Sequence, residues 1–334
     1  MIKIETLMKG CEFFMKKLIM IVNPNAGKRR LLRYIPQIVS YFSENGCSVT
    51  TYYTKKKGDA AEICAKTAKN YDLVVCCGGD GTLNEVVSGL MLLPSCPPVG
   101  YIPAGTTNDL AGSLCIPKHP LSAAQAILKG TAYPYDVGAL NGKSFNYIAA
   151  FGAFTSTSYS TPQKMKNVLG HLAYVLQGIR EIPEIQSHHV TVDYDGKTEQ
   201  GEFVYGAVTN STSIAGIMGY PNESVSLNDG KFEVMLIRKP ASPRALHKTI
   251  YALNRKRYDP NYTLFFHASR LKIKFDRPLA WTLDGEKGGI FQSADISNLH
   301  RAVSFLADVS KIPTEKARKN QLLSFRNDDP VRVR

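Results

Sequence analysis

The sequence predicts an α/β N-terminal domain built on a parallel sheet, followed by a β-rich second domain folded as an antiparallel sandwich or barrel. Three observations lead there. Between residues 15 and 135 short β-branched runs alternate with segments of helical period, the texture of a parallel sheet with helices on both faces. Beyond Asp136 the alternation gives way to longer strands of period two with hairpin signals. A chain of 334 residues also exceeds the size at which one core stops growing, which favours two domains.

Met15-Lys-Lys resembles a natural start immediately before the first apolar run, so residues 1–14 are expected to be a disordered extension. The domain over 15–135 then reads as strand Leu18 to Val22, helix Leu31 to Asn45, strand Val49 to Thr54 and helix Asp59 to Lys69. It continues as strand Leu73 to Cys77, helix Leu83 to Leu93, strand Val99 to Ile102 and helix Leu121 to Lys129. In the second domain, over 136–307, strands are expected at His189 to Asp195 and Glu202 to Thr209, with Asp195-Gly196 as a hairpin turn. Further strands are Phe232 to Ile237, Tyr262 to His267, Arg270 to Phe275, Leu279 to Leu283, Gly289 to Ile296 and Ala302 to Leu306. Helical patterns cover Gln163 to Ile182 and Pro243 to Asn254. The segment 308–334 is polar and basic, and is expected to pack back on the first domain.

Composition narrows the function classes. Hydrophobic residues at 44% and charged residues at 21% describe an ordinary folded protein without low-complexity tracts. The seven cysteines (11, 47, 64, 76, 77, 96 and 115) are odd in number, lack CxxC spacing and fall mostly in apolar segments, which fits a reducing cytoplasm. No apolar run approaches the roughly 20 residues of a membrane span. Basic residues outnumber acidic ones 41 to 28, and residues 231–280 hold 12 of the former against 3 of the latter. Such a concentration suits an anionic partner or a plain solvated face.

The chemistry is written in three Gly-containing loops, each following a strand of the first domain. They are Asn23-Pro24-Asn25-Ala26-Gly27-Lys28, then Gly78-Gly79-Asp80-Gly81-Thr82 running into Leu83-Asn84-Glu85, then Pro103-Ala104-Gly105-Thr106-Thr107-Asn108-Asp109. Glycine at a strand-to-helix turn lets backbone approach phosphate oxygens, and the following helix offers unpaired N–H groups. Thr82, Thr106 and Thr107 supply hydroxyls, and Asp80 and Asp109 are candidates for Mg2+. Asp284-Gly285-Glu286 follows the apolar run Leu279 to Leu283, which presents two carboxylates at a strand end. No Walker loop, complete dinucleotide fingerprint or zinc spacing occurs, and His188-His189 reads as exposed strand.

GGDGTLNEVVSGL, with NPNAGK upstream and PAGTTNDLA downstream, resembles the diacylglycerol kinase and sphingosine kinase superfamily, nearest to the soluble bacterial diacylglycerol kinases. Asp136-Val137-Gly138, Asn210-Ser211, Ser226 to Phe232 and Leu283 to Glu286 extend the resemblance from Met15 over nearly the whole chain. It implies ATP held by Asn23, Pro24, Asn25, Ala26, Gly27, Thr54, Gly79, Asp80, Gly81, Thr82, Leu83, Asn84, Glu85 and Thr106. It implies catalytic Mg2+ reached through Asp80 and Asp109, Asp136 in the supporting polar network, and Glu286 as general base with Asp284 beside it. A second, structural metal at Ser226, Asp229 and Lys231 carries over too, although Asn228 stands where relatives often have Asp.

The implied activity is transfer of the γ-phosphoryl group of ATP to a lipid hydroxyl, most simply diacylglycerol to phosphatidic acid. It would be carried out by a cytoplasmic homodimer lying peripherally on the anionic inner face of a membrane. An NAD-kinase-like enzyme shares GGDGT but is disfavoured by PAGTTNDLA and the late DGE. A catalytically silent nucleotide-binding regulator is disfavoured by the intact set Asp80, Asp109, Asp284 and Glu286. No nucleic-acid-binding module is recognisable.

Overall fold

A computed structural model describes residues 15–152, 186–211, 213–214, 218–219, 225–254 and 259–312. The extension expected at 1–14, the helix expected at 163–182 and the tail from 313 lie outside the described residues.

Strands β1 (Lys16–Val22), β2 (Cys47–Tyr53), β3 (Leu73–Gly78) and β4 (Val99–Pro103) run parallel in the order β4-β3-β1-β2. All of β3 and β4, and β1 from Leu18, are buried, as continuous apolar runs are when helices cover both faces of a sheet. The connections carry α1 (Ile35–Glu44), α2 (Asp59–Thr67), α3 (Asp80–Leu90), α4 (Asp109–Ser113) and α5 (Pro120–Lys129). A 3-10 helix, Ala26–Tyr34, precedes α1, so the helix expected from Leu31 begins only next to Pro36, which needs no N–H partner in a first turn. Helix α3 starts at Asp80, three positions before the expected Leu83, with Gly79 as its N-cap. This places the Asp-Gly-Thr sequence inside the first helical turn.

The chain continues as β5 (Thr131–Leu140), β6 (Lys143–Phe145) and β7 (Ile148–Gly152), three strands the sequence reading did not anticipate. Next come β8 (His188–Tyr194), β9 (Lys197–Thr209), the short pair β10 (Ser213–Ile214) and β11 (Met218–Gly219), and β12 (Phe232–Arg238). Helix α6 (Pro243–Asn254) is followed by β13 (Thr263–Ala268), β14 (Arg270–Leu283) and β15 (Glu286–Ala307). Pairings β7–β9, β9–β8, β8–β14 and β14–β7 close a ring, a small antiparallel barrel filled by Phe151, Phe203, Phe275 and Trp281. His189 is exposed as expected, but His188 is buried, because alternate residues of β8 face opposite sides.

β14 merges two expected strands across a register break between Lys274 and Leu279, where Pro278 cannot donate to a ladder. β15 merges two more across a shift between Leu299 and Val303, where Arg301 takes a positive φ of 52°. This long strand joins the two halves of the molecule. It pairs antiparallel with β14 near its start, antiparallel with β5 further on, and parallel with β4 at Phe305. Among the described residues thirteen strands, all but the short pair β10 and β11, thereby form one continuous sheet, with the expected division at 135/136 falling inside β5. Val303, Phe305, Ala307 and Ile312 pack into the core of the N-terminal sheet.

Candidate active site

The three Gly-containing loops converge at the carboxyl edge of the parallel strands, where open α/β sheets bind ligands. Asn23 follows β1, and its Nδ2 donates to Thr82 Oγ1 at 2.9 Å while its Oδ1 accepts from the Asn25 N–H at 3.0 Å. This ties the first loop to the start of α3. A Cβ on Gly27, whose φ is +53°, would lie 1.9 Å from Ala104 O, so the first and third loops approach as bare backbone. A Cβ on Gly105 would lie 2.8 Å from the Cα of Gly79, bringing the second and third loops equally close. Asn108, at a positive φ of 53°, holds the third loop by accepting from Gly105 N–H (2.8 Å) and Tyr101 O–H (3.2 Å). Thr54 is buried at the end of β2, Leu83 is core, and Pro24, Gly79 and Ala26 are half-buried around the cradle. Asn25, Gly81 and Thr106 are exposed at its surface.

Glu85 has a different use. Its carboxylate accepts from the backbone N–H groups of Gly58 (2.8 Å) and Ala60 (3.3 Å), anchoring the positive end of α2.

Asp80, Asp109 and Asp284 form the electrostatic centre. Burial, then the charges of Asp109 and Asp284, push Asp80 up to about 7, against backbone N–H bonds from Asp109 and Asn108. Among the described residues its Oδ1 is buried with no hydrogen-bond partner. Asp109 is pushed up to about 6 by burial and by Asp284. Neutral pH therefore leaves a concentration of negative charge that a cation would relieve. Among the described residues no three His, Cys, Asp or Glu side chains lie close enough to bind one ion together. The donor set instead suits Mg2+, which takes one or two carboxylates and completes its octahedron with phosphate oxygens and water.

The Asp-Gly-Glu sequence forms the two-residue turn between β14 and β15, with Asp284 at φ 48° and Gly285 at φ 78°. The turn sends its two carboxylates to different places. Asp284 is buried and accepts from the N–H groups of Asn146 (2.7 Å), Tyr147 (3.0 Å) and Ile148 (3.0 Å) and from Asn84 Nδ2 (2.6 Å). Burial raises its pKa while these bonds pull it down. Glu286 opens toward solvent: its Oε2 meets Lys57 Nζ at 3.2 Å, and a Cβ on Gly81 would lie 4.0 Å from its Oε1. The exposed carboxylate thus stands beside the first turn of α3.

Asp136 is wholly buried in β5, where it accepts from the N–H groups of Gly230 (2.6 Å) and Arg301 (2.7 Å) and meets His300 Nδ1 at 3.1 Å. It knits the loop 225–231 to β15. In that loop Ser226 Oγ donates to Asn228 Oδ1 at 3.1 Å, and Asp229 Oδ1 accepts from Lys231 N–H at 3.0 Å. These bonds close the turn from within. The partners sequence reasoning missed are Lys57 and the N–H groups of 146–148. Lys57 had one local signal, its place in a loop at the carboxyl end of β2; the N–H groups had none.

The Diacylglycerol kinase catalytic domain profile matches residues 17–140, which hold all three loops. A diacylglycerol kinase of Bacillus subtilis (strain 168) is 35% identical over 305 residues, 91% of this chain and 98% of its own. One of Staphylococcus aureus (strain MRSA252) is 32% identical over 293 residues, 87% of this chain and 92% of its own. A solved structure from Bacillus anthracis (strain Sterne), of a protein assigned as a diacylglycerol kinase, superposes with a TM-score of 0.75 at 26% identity, covering 88% of this chain and 98% of that one. With the phosphate-type cradle, the carboxylate centre and relatives matched nearly end to end, the chain belongs to the diacylglycerol kinase family and is a lipid kinase.

Proposed function

We propose that the enzyme transfers the γ-phosphoryl group of ATP to the free hydroxyl of diacylglycerol, giving phosphatidic acid, with Glu286 as general base. The observation that carries this reading is the position of Glu286, an exposed carboxylate beside the first turn of α3 and within reach of the three-loop cradle. The triphosphate lies along Asn23 to Gly27 and Gly79 to Thr82, with N–H groups at the start of α3 facing its oxygens. Asp80 and Asp109 would hold Mg2+, which supplies neutralisation of charge on the phosphates when bound. Asp284 is a positioning residue: bound to α3 through Asn84 and to 146–148 through backbone N–H groups, it fixes the turn that carries Glu286. In the transfer, the lipid oxygen bonds to the γ-phosphorus as the bond to the β,γ-bridging oxygen breaks. The hydroxyl proton passes to Glu286, leaving ADP and the phosphorylated lipid.

In this reading residues 15–135 hold nucleotide and 136–307 receive lipid. Asp229 with carbonyl oxygens of Ser226 and Lys231 is kept as a second, structural Mg2+ site. A homodimer at the inner face of the membrane completes it, reached peripherally, since among the described residues no helix is long and apolar enough to span a bilayer.

The test is labelled ATP with diacylglycerol, sphingosine, ceramide, undecaprenol and NAD offered separately. Diacylglycerol should be labelled preferentially. Glu286→Gln should lower kcat by about 10²- to 10⁴-fold with the ATP KM little changed, the usual contribution of a positioned base. Normal turnover in that variant removes the base assignment, and labelling of NAD alone removes the lipid.

A further inference from the structure

We propose that Lys57 reads the γ-phosphate: its ammonium rests on Glu286 in the free enzyme and transfers to the γ-phosphoryl oxygens when ATP enters. This rests on the placement of the triphosphate given above.

The loop from Thr54 to Ala60 is built as a rigid mount. The Thr54 N–H bonds Val22 O at 2.9 Å, fixing one end to β1. Asp59 Oδ2 gathers the N–H groups of Lys55 (2.6 Å) and Lys56 (2.9 Å), and Glu85 takes those of Gly58 (2.8 Å) and Ala60 (3.3 Å). The backbone on both sides of Lys57 is therefore held, by acceptors that include a residue of α3 itself. From this mount the Lys57 side chain, 78% exposed, reaches across 229 positions of sequence to Glu286. An exposed ion pair of this kind adds little to stability, so the pair is not explained by what it adds to the fold.

Its location does account for it. Glu286 Oε1 would touch a Cβ on Gly81, in the first turn of α3, so the ammonium 3.2 Å from the other oxygen of the same carboxylate is at the mouth of the phosphate cradle. A triphosphate brings far more negative charge there than one solvated carboxylate. A lysine on a flexible four-carbon stem exchanges the weaker partner for the stronger. The γ-phosphate is the part of the nucleotide nearest Glu286 in the reading above, so ADP leaves Lys57 where it is. Lys57 thereby becomes a discriminator between ATP and ADP. No proton moves in the exchange; one charge-assisted contact replaces another.

Calorimetric titration of the full chain, without lipid, with a non-hydrolysable ATP analogue and separately with ADP, tests this. Lys57→Gln should weaken the analogue about ten-fold or more, the worth of one charge-assisted hydrogen bond, while ADP affinity stays within about two-fold. Lys57→Arg should recover most of the loss. Lys56→Gln, which removes the same charge one position away, should change neither. Equal weakening of both nucleotides by Lys57→Gln, or weakening of neither, overturns the proposal while leaving the kinase reading intact. Failure of the unmutated chain to bind the analogue defeats both. Since lipid is absent from the cell, the outcome does not depend on whether Glu286 is the base.

Discussion

Asp80, proposed above to hold Mg2+, stands where the fold works against its charge. It stands in the first turn of α3, where the helix dipole favours its charge, yet burial and the charges of Asp109 and Asp284 hold it up to about 7. Its folded value lies above its ordinary value of 3.8, so the folded chain binds this proton more tightly than the unfolded chain. The stability linked to this proton is present at low pH, is lost as pH rises from about 4 to about 7, and changes no further above that. Asp80→Asn should therefore be more stable than the native chain at pH 7.5 in chelator, on the order of 2–4 kcal/mol, with the gap closing toward pH 4. Thermal unfolding across that range checks it; parallel curves for the two proteins would show that the charge of Asp80 carries no such cost. Asn at this position should also abolish the response of turnover to added Mg2+.

At the scale of elements, the site is made by turns approaching one another, and glycines mark where they touch. Gly27 combines φ +53° with a Cβ position 1.9 Å from Ala104 O, so a side chain there meets both backbone strain and a carbonyl that belongs to another loop. Gly112, in the exposed part of α4, meets nothing within 4 Å and has ordinary helical backbone. Gly27→Ala should cost at least about 1–2 kcal/mol in urea unfolding and weaken nucleotide binding by displacing the third loop. Gly112→Ala should be neutral or gain about 0.4–1 kcal/mol. A Gly27 variant that binds nucleotide normally would show that the close approach of loops is incidental.

For the whole molecule, the basic excess has a definite arrangement. Arg270 is paired with Asp295 at 3.3 Å and Lys274 with Asp193 at 3.1 Å, so part of the positive charge of residues 231–280 is already answered within the fold. Helix α6 is different: Leu246, Ile250 and Leu253 are buried while Arg244, Lys248 and Tyr251 are exposed on its other side. The basic side of this helix is suited to the anionic surface proposed above. Association with vesicles containing acidic lipid should fall steeply with added salt, and replacing Arg244 and Lys248 together by Gln should weaken it by about 1 kcal/mol for each charge. Co-sedimentation measures both effects, and salt-insensitive association would mean insertion of apolar groups instead.

The amino-acid sequence determined what is local. Alternating apolar runs and helix-period segments placed the parallel strands and most helices, and Asp195-Gly196 marked a two-residue turn that the structure forms with φ of 43° and 79°. The three phosphate-type loops were legible because glycine, asparagine and threonine at a strand end have few other uses. The tertiary structure decided which carboxylate does what. Asp284 and Glu286 are two residues apart in one turn, yet one is buried on the N–H groups of 146–148 and the other faces solvent at α3. Their partners lie more than a hundred positions away, so no local pattern separates them. Asp136 likewise gained its role from Gly230 and Arg301, and the interrupted strands of β14 and β15 stayed continuous because pairing on both sides outweighed the break at Pro278 and the left-handed residue at Arg301. Propensity acts over a few residues, whereas burial and hydrogen-bond partners are assigned only when distant segments meet.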